Sequence, residues 1–163
     1  MPPGAPGTYF TLETPWRLTY NPFVKNDIDR RTIQDYFRSQ PDVQAVFLFG
    51  SFAKGKDRAA SDVDLAVLLD PAMPEESYLD RRLQYMSDLS NRLGREADVI
   101  ILNEAGPVLK HQVFEFGQLL YETDHQKTTS FKARAMLEYV DWLPYKERLD
   151  KATLQHFKRT THG

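Results

Sequence analysis

The sequence predicts an α/β fold, a small sheet flanked by helices. Three observations carry this. Apolar runs of strand length alternate with segments of helical period. Gly and Pro stand at most of the boundaries between them. The resulting order, α-β-β-α-β-α-β-α-α, is that of helices laid on the faces of one sheet.

The first helix begins near Asp27, with Asn26 or Asp27 as its cap and Ile28, Ile33, Tyr36 and Phe37 on one face. Pro41 closes that segment, and the apolar run Val43 to Phe49 reads as a buried strand. Residues 50–61 form a loop containing Gly and Lys, with room for one helical turn. A second strand, Asp62 to Leu69, ends at Asp70-Pro71. Residues 75–93 carry the clearest helical pattern. Leu79, Leu83, Met86, Leu89 and Leu93 are its expected inward face, and Gly94 its stop. Asp98 to Leu102 is a third strand, Pro107 opens a short helix stopped by Gly117, and Gln118 to Tyr121 is a fourth strand. Residues 129–143 are helical, with Phe131, Ala135, Tyr139, Val140 and Leu143 inward. Pro144 is expected to interrupt them before a last amphipathic helix, Lys146 to Arg159.

The chain of 163 residues suits one core domain. Three segments are expected: an N-terminal arm at 1–25, partly disordered; the main domain at 26–145; and a C-terminal helix at 146–163 packed on the domain or a partner. The arm begins with a Pro- and Gly-rich stretch, then carries Tyr9, Phe10, Trp16, Tyr20 and Phe23. A net charge of −2 is unlike a dedicated nucleic-acid binder, so no direct nucleic-acid binding is expected. The absence of cysteine excludes disulfides, thiolate zinc sites and a cysteine nucleophile, and fits a cytoplasmic location. No signal-peptide pattern and no membrane-length apolar run is present, so no membrane association is expected.

The chemistry concentrates at Gly50-Ser51 and Asp62-Val63-Asp64. Residues i and i+2 of a strand point to the same side, so the two carboxylates stand together where the loop enters the strand. Like charges so close favour a cation between them. Magnesium takes hard oxygen ligands, commonly one or two carboxylates plus substrate phosphates. The pair suits two ions held about 3.5–4 Å apart, as in-line phosphoryl chemistry uses. Gly50 and Ser51 follow a buried strand, where free backbone N–H groups at a helix start attract phosphate. Gly permits close backbone approach, Ser51 adds a hydroxyl, and Lys54 can neutralise phosphate charge. If the third strand neighbours the second, Asp98 joins the carboxylates and could hold metal or accept the proton of an incoming hydroxyl.

The stretch Phe49 to Gly55 with Ser61 to Leu65 resembles the polymerase-β-type nucleotidyltransferase superfamily, whose fold is a small mixed sheet flanked by helices. The short length and the Asp98 to Leu102 strand resemble its minimal branch, the MNT domains. Gly117 to Tyr121 and Tyr139 to Pro144 further resemble the MntA-like antitoxins paired with HEPN ribonuclease toxins. The resemblance covers roughly residues 28–145; the family more often has Arg where Lys54 stands. It implies transfer of AMP from ATP to a tyrosine of a HEPN-type toxin, in a hetero-oligomer with that toxin. It further implies two Mg2+ ions on Asp62, Asp64 and Asp98, with Gly50, Ser51 and Lys54 on the triphosphate.

Two other functions fit the same residues. Nucleotidyl transfer to a small molecule, as in aminoglycoside nucleotidylyltransferases, is disfavoured because the short stretch after Pro144 leaves little room for an acceptor-shaping domain. Toxin masking with secondary catalysis would use the aromatic arm and the last helix. The four histidines show no metal-binding spacing. Arg81, Arg82, Arg92 and Arg95 are expected on a solvated helix face, free to meet acids on a partner. Tyr78 and Tyr85 are expected to be partly buried.

Overall fold

The computed structural model describes residues 27–50 and 62–160. Its elements follow the expected order closely. Helix α1 spans Asp27–Arg38, strand β1 Val43–Phe49 and strand β2 Val63–Leu69. A 3-10 turn at Glu75–Ser77 leads into α2, Tyr78–Leu93. Strand β3 is Ala97–Ile101, α3 Pro107–Phe116, β4 Gln118–Glu122 and α4 His125–Thr160. Among the described residues no helix is long and apolar enough to cross a membrane.

The sheet has the order β3-β2-β1-β4. Strand β1 pairs antiparallel with β2 and β4, whereas β2 and β3 run parallel. The sheet is thus mixed, and the β2–β3 connection is a helical crossover through α2, as a parallel pair requires.

Strand alternation sorts the core into two layers. Val63, Leu65, Val67 and Leu69 of β2 join Ala97, Val99 and Ile101 of β3 on one face, under Ile33, Tyr36 and Phe37 of α1 and Tyr78, Tyr85 and Leu89 of α2. Ala66 and Leu68 point the other way, toward Val113 and Phe114 of α3 and Ala135 of α4. Tyr36, Phe37 and Tyr85 meet edge to face, the arrangement aromatic quadrupoles favour.

Three expectations fail. The inward face of α2 carries Tyr78 and Tyr85, whereas Leu79 is 61% and Leu83 54% exposed. Tyr85 takes the buried side because its hydroxyl finds an acid, and the Tyr78 hydroxyl meets the Asn103 side chain. Tyr85 donates to Asp42 Oδ2 at 2.6 Å, and Tyr36 of α1 donates to Asp88 Oδ2 of α2 at 2.7 Å. The second failure is at Pro144, which lies inside a single helix of 36 residues. Proline denies one N–H to the carbonyl four residues earlier. That carbonyl belongs to Val140, which is exposed, so water can satisfy it. Val140 and Leu143, expected inward, lie on the exposed surface, and only Ala135 of that set is fully buried. Gly94 does end α2, at φ 65° in the left-handed region, with its N–H on Ser90 O.

Candidate functional site

The parallel pairing of β2 with β3 sets Asp64 directly opposite Asp98. Neighbouring strands lie about 4.8 Å apart, so the two carboxylates start from adjacent backbones. Both residues alternate with the first core layer, Asp64 between Val63 and Leu65, Asp98 between Ala97 and Val99. Both therefore rise on the α3 and α4 face of the sheet, at the end where the chain enters β2 and β3. Asp62, two residues before Asp64, is exposed just outside the strand. Asp64 is half-buried.

On its other side, Asp64 pairs with Phe49, the last residue of β1. Gly50 comes next, at φ 78°. A Cβ built there would lie 2.1 Å from Asp64 Oδ2 and 2.9 Å from its Cγ, an impossible overlap. Gly50 is therefore required twice: for a left-handed backbone, and for the space the Asp64 carboxylate occupies. This cradle presses the turn after β1 against the acid.

Asp98 is half exposed and faces one cation, Arg82 of α2, with Nη2 3.6 Å from Oδ1. Strand β3 is the sheet's edge, so Arg82 reaches round it from the opposite face. Arg82 was expected on a solvated surface. It lies instead on the inward line Tyr78, Arg82, Tyr85, Leu89, spaced by four, three and four. That spacing is the signal in the sequence, and the leucines at Leu79 and Leu83 hide it. The other arginines are also engaged within the chain. Arg81 Nε is 3.2 Å from Asp42 Oδ2, Arg95 pairs with Asp29, and Arg92 stacks over the Tyr36 ring at 5.0 Å.

Of the six predicted site residues, the structure brings Gly50, Asp64 and Asp98 together and sets Asp62 at the mouth of β2. Ser51 and Lys54 lie outside the described residues, as does the N-terminal arm. Among the described residues no three His, Asp or Glu side chains converge as a metal cage. The donors nevertheless suit magnesium. A pair of hard carboxylates beside a glycine cradle matches an ion that takes one or two carboxylates and draws its other ligands from phosphate and water. Outside this site, burial pushes the Tyr85 and Tyr36 hydroxyls well above the ordinary tyrosine value, and the accepting carboxylates of Asp42 and Asp88 push them further.

A mixed sheet with paired acids at the start of two strands and a glycine turn against them defines a nucleotidyltransferase class. The chain belongs to the family described as polymerase beta, nucleotidyltransferase, whose model matches residues 31–126. Among curated proteins, it is 31% identical over 83 residues to the protein adenylyltransferase MntA of Shewanella oneidensis. That match covers 51% of this chain and 57% of the relative, a little over half its length. Among solved structures, it resembles a toxin–antitoxin complex with AMP-PNP, with a TM-score of 0.66 and 25% identity over 77% of this chain and 98% of the other. It also shares the fold of a chain from the complex of a tri-AMPylated Shewanella oneidensis HEPN toxin with its MNT antitoxin. There the TM-score is 0.62 and the identity 23%, over 77% of this chain and 96% of that one.

Proposed function

We propose that this protein is a magnesium-dependent protein adenylyltransferase that moves AMP from ATP to a tyrosine of a HEPN ribonuclease toxin, and so acts as its antitoxin. The observation that carries the reading is the register of Asp64 with Asp98 beside the Gly50 cradle. Support for the protein acceptor comes from the relative named an adenylyltransferase and the toxin–antitoxin complex with AMP-PNP.

In this reading Asp62, Asp64 and Asp98 would hold two magnesium ions, which would supply neutralisation of phosphate charge and polarisation of the reacting oxygens. Gly50 and Ser51 offer backbone N–H groups to the triphosphate, and Lys54 adds a positive charge there. The acceptor hydroxyl forms a bond to the α-phosphorus as the bond to pyrophosphate breaks. Asp98, half exposed, either holds the ion beside that hydroxyl or takes its proton. The protein's part is positioning and charge control, which is most of what phosphoryl transfer needs.

One observation favours a second reading, masking of the toxin by contact. Leu137, Val140, Tyr145 and Leu149 of α4 are large, apolar and exposed. One experiment separates the two. The chain is incubated with ATP labelled at the α-phosphate, magnesium and a HEPN-type toxin, and toxin ribonuclease activity is followed. Transfer of label to a toxin tyrosine, with loss of ribonuclease activity, is expected. Full neutralisation by an Asp62→Asn/Asp64→Asn variant that transfers no label would establish masking instead.

A further inference from the structure

The Arg82 guanidinium stands beside one member of the carboxylate pair, on a helix that plays no other part in the site. We infer that Arg82 is a positioning residue that makes metal loading conditional on nucleotide; this rests on the reading of Asp64 and Asp98 as magnesium ligands.

Three features carry it. First, Asp64 and Asp98 are paired across adjacent strands, so without a cation their charges repel. Arg82 is the ion-pair partner of Asp98 among the described residues, and its Nη2 supplies a positive charge there. Second, the contact is loose. A single Nη2 approaches one oxygen at 3.6 Å, with both side chains more than a third exposed. A bidentate arginine–carboxylate pair would be shorter and use two parallel N–H bonds. Arg82 Nε is shielded from solvent without a hydrogen-bond partner. The guanidinium is thus not locked onto Asp98 and can yield its place. Third, Arg82 is anchored from the rear, on the face of α2 that buries Tyr78 and Tyr85. Its charge stays near the site even after Asp98 is taken over.

The sign of the effect follows from Coulomb's law. A fixed positive charge beside a divalent site opposes the bare ion. A nucleoside triphosphate brings several negative charges, so the same arginine attracts the metal–nucleotide complex. Arg82 thus disfavours metal alone and favours metal arriving with its nucleotide. It also holds the two acids compatible while the site waits.

The test is Mn2+ binding to the full chain, followed by electron paramagnetic resonance, for the wild type, Arg82→Ala and Arg82→Lys, without nucleotide and with AMP-PNP. Without nucleotide, Arg82→Ala should bind Mn2+ about five- to tenfold more tightly, while Arg82→Lys stays within about twofold of wild type. With AMP-PNP the advantage of Arg82→Ala should vanish or reverse. Unchanged or weaker Mn2+ binding by Arg82→Ala would overturn the inference. So would a gain that persists undiminished with AMP-PNP. Failure here is separable from failure of the functional reading. Label transfer to the toxin with no Arg82 effect on Mn2+ removes this inference alone. An Arg82 effect without any transfer removes the adenylyltransferase reading alone.

Discussion

Helix α2 offers two successive arginines to two different acids, and the pairs are unlike in every respect. Asp42 is 7% exposed; it takes Arg81 Nε at 3.2 Å and the Tyr85 hydroxyl at 2.6 Å on the same oxygen. Asp98 is half exposed, takes one guanidinium nitrogen at 3.6 Å, and faces a second carboxylate across the sheet. The first acid is held through Oδ2 by short contacts inside the fold, while its Oδ1 is buried without a hydrogen-bond partner. The second is surrounded by weak or repulsive ones, which leaves its oxygens available. Two side chains of one chemical type, at neighbouring helix positions, thus sit in opposite settings, one fixed within the fold and one loosely held beside the candidate site.

Substitutions should separate these roles. The largest effect is expected at Asp64. Asp64→Asn should lower nucleotidyl transfer by roughly a hundredfold or more, the scale of losing one essential charge-stabilising group. It should leave the fold intact, because Asn matches Asp in shape and the side chain is only half-buried. A matching loss of folding, read by circular dichroism, would place Asp64 with Asp42 instead. Gly50→Ala comes next. The left-handed backbone alone costs about 1–2 kcal/mol for a residue with a Cβ, and the overlap with Asp64 adds to it. Urea denaturation should show at least that loss, together with reduced Mn2+ binding.

Tyr85→Phe should destabilise by about 1–3 kcal/mol, since it leaves Asp42 buried with one fewer donor. It should not alter metal binding. The smallest contrast lies between the arginines. Arg81→Ala should cost about 1 kcal/mol and Arg82→Ala less than about 0.5 kcal/mol, as befits partly exposed pairs.

The tyrosines add a pH test. Their pKa values are raised in the folded state from the ordinary value of 10.0, so the folded chain keeps protons that the unfolded chain releases. The stability they contribute is complete below that value and declines as pH rises past it. Melting temperature should fall above about pH 10, and Tyr36→Phe/Tyr85→Phe should flatten the decline.

Much of this was legible from local pattern. The bounds of β1 and the stop at Gly94 follow from apolar runs and glycine chemistry. The Gly50 and Asp62/Asp64 cluster was legible because its parts are close in sequence and residue types of that kind have few other uses together. Asp98 was legible only conditionally, since nothing local says that the third strand lies beside the second. Arg82 was misplaced for a different reason. Ranking side chains by hydrophobicity puts Leu79 and Leu83 inside, yet Tyr78 and Tyr85 take that side, where Asn103 and Asp42 meet their hydroxyls. Such a preference exists only once Asp42 and α2 are packed together. Pro144 was misjudged in the same way. Its cost in a helix interior is real, but an exposed turn lets water meet the freed carbonyl.

The parallel pairing of β2 with β3 has a consequence for how the protein becomes competent. Asp64 and Asp98 lie on opposite sides of the crossover through α2, so no short fragment contains the assembled pair. Contacts that span such a crossover bear loop-closure entropy before they gain anything. The site therefore comes into being only when that crossover closes, and a newly made chain stays inert until then. Any ligand that bridges the two acids draws the crossover shut by mass action. Protease resistance across α2 should consequently rise with nucleotide and divalent ion together, which makes the finished fold and the loaded site a single event.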